Sequence, residues 1–303
     1  MDHPPPPPPP PSTTTAKRTR TQCTRTPKCN GKSSHLYCAI CCHPLEGQPA
    51  PSPVSLPLEL HMYRHPGEKV SKSTSIHAKV VAPADTTMFV EDCKDLGKNV
   101  GGILNQRYPD PSRVLLLFPS DDAKPLSKLP RSSFDKLIVL DGTWTQAKAM
   151  YLCLKDAGFQ PVTIGFPANA SVAQQTQPEE TASIDQNNDL PESPSKKRNI
   201  DSTSSIDAST LSVTTSKDPE PVKTLFWRYQ KVGDHALATI EAVYYFYRDY
   251  FNVYESGKEY DGRFDGLLYY FRLQYETVQG YYKANPDKQF TKKKSNAESY
   301  IKK

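Results

Sequence analysis

The sequence predicts an α/β fold in which helices cover a mostly parallel sheet. Three observations predict it. Strand-like and helix-like stretches alternate from about residue 55 to residue 166. Two of the strand-like stretches, VLLLF (114–118) and LIVL (137–140), are continuous apolar runs, as in strands buried on both faces. Polar clusters follow several of these runs, and open α/β sheets gather ligands beyond the carboxyl ends of their strands.

Residues 1–22 are a proline tract followed by STTTAKRTR, which reads as a solvated tail of polyproline character. Residues 23–50 hold a Cys-rich segment, QCTRTPKCNGKSSHLYCAICCHPL. The predicted strands are PLELHMY (57–63), TTMFV (86–90), RVLLLF (113–118), KLIVL (136–140) and PVTIGF (161–166). From 168 to 221 the pattern stops, and no aromatic residue occurs between Phe166 and Phe226. That stretch reads as a disordered insertion. Lengthening a loop is inexpensive, about 0.6 kcal/mol per doubling, so the same domain is expected to resume and span 55–284. In HALATIEAVYYFYRDYF, Leu237, Ile240, Tyr244, Tyr247 and Phe251 recur at helical spacing. Phe264, Leu268, Phe271, Tyr275, Val278 and Tyr282 do the same in the next helix. Residues 285–303 form a basic tail.

Of 303 residues 29 are proline, so the ordered core is expected to be roughly 200 residues. No apolar run approaches the ~20 residues of a membrane helix, and the N-terminus lacks a signal-peptide plan. A soluble intracellular protein without membrane partners follows as the expectation. The net charge of +5 suits an anionic partner without demanding one.

Seven cysteines in such a chain are expected to be thiols or metal ligands. Cys38-x2-Cys41 has zinc-knuckle spacing, and Cys23 with Cys29 supplies the other pair across a wide gap. Cys42 and His43 are possible substitutes, and Cys93 and Cys153 look isolated and unpaired. Four thiolates leave no open position, so such a metal is structural.

Three polar clusters follow strands: RHPGE (64–68), PSDDA (119–123) and DGTW (141–144). Parallel strands would turn all three toward one crevice. Thr143 and Gln146 form a capping-box pair, with Gly142 supplying an unusual φ. LDGT also suggests phosphatases that form a phosphoaspartate, but the position of their nucleophile holds Val139, which excludes that chemistry. Arg18, Arg20, Arg25, Lys28 and Lys32 flank the Cys segment and suit nucleic-acid phosphates. SPSKKRN (193–199) resembles a nuclear import signal, so the nucleus, with the cytoplasm as a second site, is the expected location.

Taken together, these motifs resemble the DTW-domain tRNA-uridine aminocarboxypropyltransferases, in their eukaryotic branch. Asp141-Gly142-Thr143-Trp144 is the eponymous tetrad. The Cys ribbon, His65-Pro66 with Glu68, KSTSIHA (72–78), LFPSDDA (117–123), LDGTWTQAK (140–148) and ATIEA (238–242) stand in family order. The likeness covers about 23–166 and 222–283.

The resemblance implies a SPOUT-like, knotted fold with a zinc ribbon. It implies transfer of the 3-amino-3-carboxypropyl group of S-adenosylmethionine to N3 of a tRNA D-loop uridine, with release of methylthioadenosine. It implies catalytic roles for Asp141, Thr143 and Trp144, and cofactor contacts from Pro119, Ser120, Asp121, Gly142, Glu241, His65 and Glu68. Cys23, Cys29, Cys38 and Cys41 are the implied metal ligands. The uridine N3–H has a pKa on the order of 9 and a free carboxylate about 4, a gap of roughly 7 kcal/mol. Either burial raises the Asp141 pKa, or Asp141 orients N3 and accepts its proton late; it is expected to be an orienter and a possible base. Two other readings share much of this sequence. A SPOUT-type RNA methyltransferase would release adenosylhomocysteine, and a noncatalytic zinc-ribbon RNA-binding protein would not bind the cofactor.

Overall fold

The computed structural model describes residues 20–29, 33–34, 36–93, 95–96, 103–165, 224, 237–255 and 257–285. The tail before Arg20, the insertion at 168–221 with its basic run, Arg18, Lys32 and the tail from 286 onward lie outside the described residues.

Two small hairpins come first: β1 (Thr21–Gln22) pairs with β2 (Ser33–Ser34), and β3 (Tyr37–Cys38) pairs with β4 (His43–Pro44), both antiparallel. The strands β5 (Glu59–Arg64), β6 (Thr86–Val90), β7 (Val114–Leu117), β8 (Lys124–Pro125), β9 (Lys136–Asp141) and β10 (Gln160–Thr163) then form one sheet. Its order is β6-β5-β9-β7-β10-β8, and every pairing is parallel. The five strands expected from the sequence are present. The edge strand β8 was not expected, because two residues carry no periodicity to read.

Helices with described bounds include α1 (Ser75–Val81), α2 (Ile103–Arg107), α3 (Trp144–Leu154), α4 (Thr239–Tyr254) and α5 (Tyr269–Ala284). Side chains alternate across a strand, and the apolar runs of β7 and β9 use both faces. Leu115, Leu117, Leu137 and Val139 join the layer of α1, α4 and α5. Val114, Leu116, Ile138 and Leu140 join Met150, Tyr151 and Leu154 of α3 on the other side. A sheet covered on both faces needs uninterrupted apolar strands, so the runs and the layers are one observation.

The aromatics at helical spacing in and before these last helices are mostly core, with Tyr281 exposed. Tyr244, Tyr247, Phe251, Phe264 and Phe271 are buried, while Tyr275, Val278 and Tyr282 are half-buried as α5 leaves the sheet. Among the described residues no helix is long and apolar enough to cross a membrane.

One expectation is overturned. Cys93 and Cys153 are not isolated: they form a disulfide with Cα atoms 5.8 Å apart. Sixty residues separate them in sequence, and only the packing of the segment after β6 against α3 brings them together.

Candidate functional site

Because the strands are parallel, the segments after β5, β7 and β9 leave the sheet at one rim. Arg64 at the end of β5 is the register partner of Asp141 at the end of β9. His65 N donates to the Asp141 carbonyl at 2.8 Å, so the RHPGE loop lies against the DGTW elbow.

The elbow is capped as its sequence predicts. Gln146 N donates to Thr143 Oγ1 at 3.3 Å and Thr143 N donates to Gln146 Oε1 at 2.8 Å, a reciprocal box that satisfies two helix-start donors. Gly142 has a different reason from the one expected. Its φ is not in the left-handed region, where the glycines are 47, 158, 257 and 262. Space is the constraint: a Cβ at Gly142 would lie 3.0 Å from Gln146 Oε1 and 3.3 Å from His65 Cβ. Thr143 is exposed at the cap and Trp144 is half-buried.

Asp141 is 2% exposed. Ser73 Oγ and Ser75 Oγ donate to its Oδ2 at 2.6 and 2.8 Å, and Thr239 Oγ1 donates to its Oδ1 at 2.6 Å. The hydroxyls are the donors in all three bonds. The carboxylate thus joins β9, the start of α1 and the start of α4. Thr74 Oγ1 also accepts from Ile240 N at 3.3 Å, binding α1 to α4 a second time.

A cleft opens beside this hydrogen-bonded cluster. Leu117, Pro119, Leu140, Gly142, Trp144 and Thr239 line it, with Ile164, Leu237 and Ala242. It therefore lies beyond the carboxyl ends of β7, β9 and β10 and beside the N-termini of α3 and α4. Its walls are mostly apolar, with an indole and a few polar groups, the composition of a small-molecule site.

The expected cofactor residues divide. Pro119, Gly142 and Trp144 reach the cleft. Asp121 is exposed on the loop, whereas its neighbour Asp122 accepts from the Tyr151 hydroxyl at 3.1 Å. The Ser120 hydroxyl foremost holds the Asp122 carboxyl below its usual range. Glu241 is 2% exposed and caps its own helix, accepting from Ala238 N at 2.8 Å and from the Thr224 hydroxyl. It is not among the lining residues; Thr239, two positions earlier, is. His65 Nδ1 accepts from Gly67 N at 2.9 Å, and Arg64 donates to the Glu68 carbonyl at 2.9 Å. Both residues therefore shape the RHPGE loop. Sequence reading missed Ser73, Ser75 and Thr239, although all three lie in motifs it singled out. The available signal was a run of hydroxyl residues at two helix starts facing a strand-end carboxylate.

The sulfurs of Cys23, Cys29, Cys38 and Cys41 lie within 4.8 Å of one another. Cys23 to Cys41 is 3.6 Å and Cys38 to Cys29 is 3.7 Å. Zinc bonds of about 2.3 Å in a tetrahedron place sulfurs roughly 3.8 Å apart, so the four residues fit a structural zinc ion. His43 is not in the group: its Nδ1 donates to the Cys41 carbonyl at 2.7 Å. Cys42, at φ 54°, packs against the main core. Arg20, Arg25 and Lys28 are exposed around the cluster.

Tyr37 fastens the ribbon to the domain. Its ring packs edge-on against His77 and Tyr270, and its hydroxyl lies 3.0 Å from His77 Nε2. His77 belongs to α1, whose first residue holds Asp141.

Residues 29–184 match the DTW domain family. Two curated relatives are each named tRNA-uridine aminocarboxypropyltransferase 1. The Xenopus tropicalis protein is 29% identical over 270 residues, covering 86% of this chain and 80% of its own. The Xenopus laevis protein is 29% identical over 273 residues, covering 86% and 81%. A shorter match, 47% identical over 47 residues, joins 15% of this chain to 19% of the Drosophila melanogaster tRNA-uridine aminocarboxypropyltransferase 2. No solved structure matches significantly.

Proposed function

The chain belongs to the DTW-domain family, and from that premise we propose that it transfers the 3-amino-3-carboxypropyl group of S-adenosylmethionine to N3 of a tRNA D-loop uridine. The observation that carries the reading is the convergence of the DGTW elbow and the segment after β7 on one apolar cleft, through Trp144, Gly142 and Pro119.

The donor supplies an activated γ-carbon whose sulfonium leaves as a neutral thioether, so no general acid is needed at that step. The protein's task is placement, because methyl and γ-carbon compete for the same nucleophile and geometry decides between them. The apolar walls near Leu117 and Leu140 receive the adenosyl group, and Trp144 stacks on a base. The helix starts at Thr143 and Thr239 favour the donor's carboxylate. Thr143 keeps the elbow in shape. Asp121, Ser120, His65 and Glu68 support the rim loops, and Glu241 holds the start of α4.

The unit from 55 to 284 is read as the catalytic domain, SPOUT-like and knotted, interrupted at 168–221. Residues 23–50 are read as a zinc ribbon that presents Arg20, Arg25 and Lys28, with Arg18 and Lys32, to tRNA phosphates. The nucleus is its proposed location.

Mass spectrometry of tRNA nucleosides after incubation with enzyme and donor tests the reading. Aminocarboxypropyluridine with methylthioadenosine is the expected pair. Methyluridine with adenosylhomocysteine would replace the reading with a methyltransferase, and an unchanged tRNA without donor binding would leave an RNA-binding ribbon protein.

A further inference from the structure

Asp141 does not line the cleft, and neither do Ser73 or Ser75, which are 5% and 0% exposed. Of the three hydroxyls on the carboxylate, Thr239 alone both touches it and faces the cleft, among the described residues. Among the described residues, Thr239 is therefore the link from Asp141 to the cleft. The hydroxyl proton of Thr239 is committed to Asp141 Oδ1, which leaves its oxygen lone pairs as acceptors.

We propose that Thr239 is a catalytic residue whose Oγ1 takes the proton from uracil N3 while handing its own proton to Asp141 Oδ1. The proposal rests on the reaction given above. In balance, the N3–H bond breaks as a new Oγ1–H bond forms, and the old Oγ1–H bond breaks as Oδ1–H forms. The N3 electron pair makes the new bond to carbon, and the carbon–sulfur pair leaves with the thioether. Thr239 ends as it began, Asp141 ends protonated, and solvent later takes the proton.

The surroundings suit that relay. Ser73 and Ser75 hold Oδ2, which fixes the carboxyl plane and leaves Oδ1 to Thr239. Thr239 is the first residue of α4, so the positive end of the helix dipole lies beside the charge that grows on N3. The poor match between a carboxylate and a weakly acidic N3–H is met by moving both protons as the carbon bond forms, so that no free uracil anion precedes attack.

The experiment compares the full-length protein with Thr239→Val and Thr239→Ser in single-turnover transfer to tRNA. Donor affinity by calorimetry, tRNA affinity by gel shift and thermal melting are measured alongside. Thr239→Val is expected to lose on the order of 10²- to 10⁴-fold in rate while both affinities hold. Its residual rate should climb with pH and with 5-fluorouridine in the tRNA, whose N3–H is more acidic. Thr239→Ser should recover most of the rate. A Thr239→Val rate within about threefold of wild type, or a serine variant as slow as valine, overturns the relay.

If Thr239→Val does not fold, a proton inventory on the wild type decides. Two protons in motion bend the plot of rate against deuterium fraction, and a straight line overturns the proposal. A wild type that makes no aminocarboxypropyluridine sinks the underlying reaction instead, which is a distinguishable result.

Discussion

The Tyr37 hydroxyl lies 3.0 Å from His77 Nε2 and accepts from Gln274 Nε2 at 3.2 Å, so one phenol joins the Cys ribbon to both α1 and α5. Tyr37→Phe would leave the buried His77 Nε2 and the half-buried Gln274 amide without their shared partner. A loss of about 1–3 kcal/mol is expected, read by urea unfolding, with the ribbon still binding metal.

His77 itself gives a pH signature. Burial alone pushes its pKa from the ordinary 6.5 down to about 3. Between those values the unfolded chain holds the proton and the folded protein does not. Stability from this residue is whole above pH 6.5 and falls as pH drops toward 3, by up to about 1.4 kcal/mol per unit. Unfolding free energies of wild type and His77→Phe, measured from pH 4 to 7, should converge toward acid, because the variant lacks that slope.

Zinc is expected at one ion per chain, bound by four sulfurs at about 2.3 Å in X-ray absorption. Chelation or Cys38→Ala should lower the melting temperature and release the ribbon, detected as faster amide exchange at Tyr37. A metal-free protein that melts with the native one would show that the cluster is only thiols.

The elbow tolerates little. Gly142→Ala puts a methyl 3.0 Å from Gln146 Oε1 and should open the capping box, at a cost of about 0.5–2 kcal/mol. Donor affinity should fall with it, whereas Thr143→Ser should keep both. Calorimetry with S-adenosylmethionine separates these variants.

The pairing of Cys93 with Cys153 predicts a thiol count. In protein purified without reductant, unfolded and stripped of metal, alkylation should label the 5 free cysteines, and all 7 after reduction. Seven labels before reduction would show the pair to be open.

What could be read in advance was whatever repeats locally. Val114–Leu117 and Leu137–Leu140 announced a sheet covered on both faces because burial on two sides removes the polar alternation. Thr143 and Gln146 announced their helix because a capping box spans three residues. Cys38 and Cys41 were legible because a knuckle has a fixed spacing, whereas the wide gap between Cys23 and Cys29 needed the fold to bring all four sulfurs together. Contacts made only by tertiary packing were not legible. Thr239 lies 98 residues from Asp141, and within ATIEA nothing local marks its hydroxyl, rather than the charged Glu241, as the group that reaches the cleft. Gly142 was assigned to backbone freedom, yet its reason is space: Gln146 of the local capping box crowds it, and so does His65, which only the fold brings near.

The cleft takes Leu117, Leu140 and Trp144 from the first part of the chain, and Thr239 and Ala242 from beyond residue 236. A fragment ending at residue 184 would contain the whole family match but lack the cleft wall of Leu237, Thr239 and Ala242. It would also leave the face of Met62, Leu137 and Val139 without the α4 and α5 layer, open to water and prone to self-association. Competence to act therefore depends on the chain beyond residue 236: without α4 and α5 the sheet keeps an oily face and the cleft keeps an open wall.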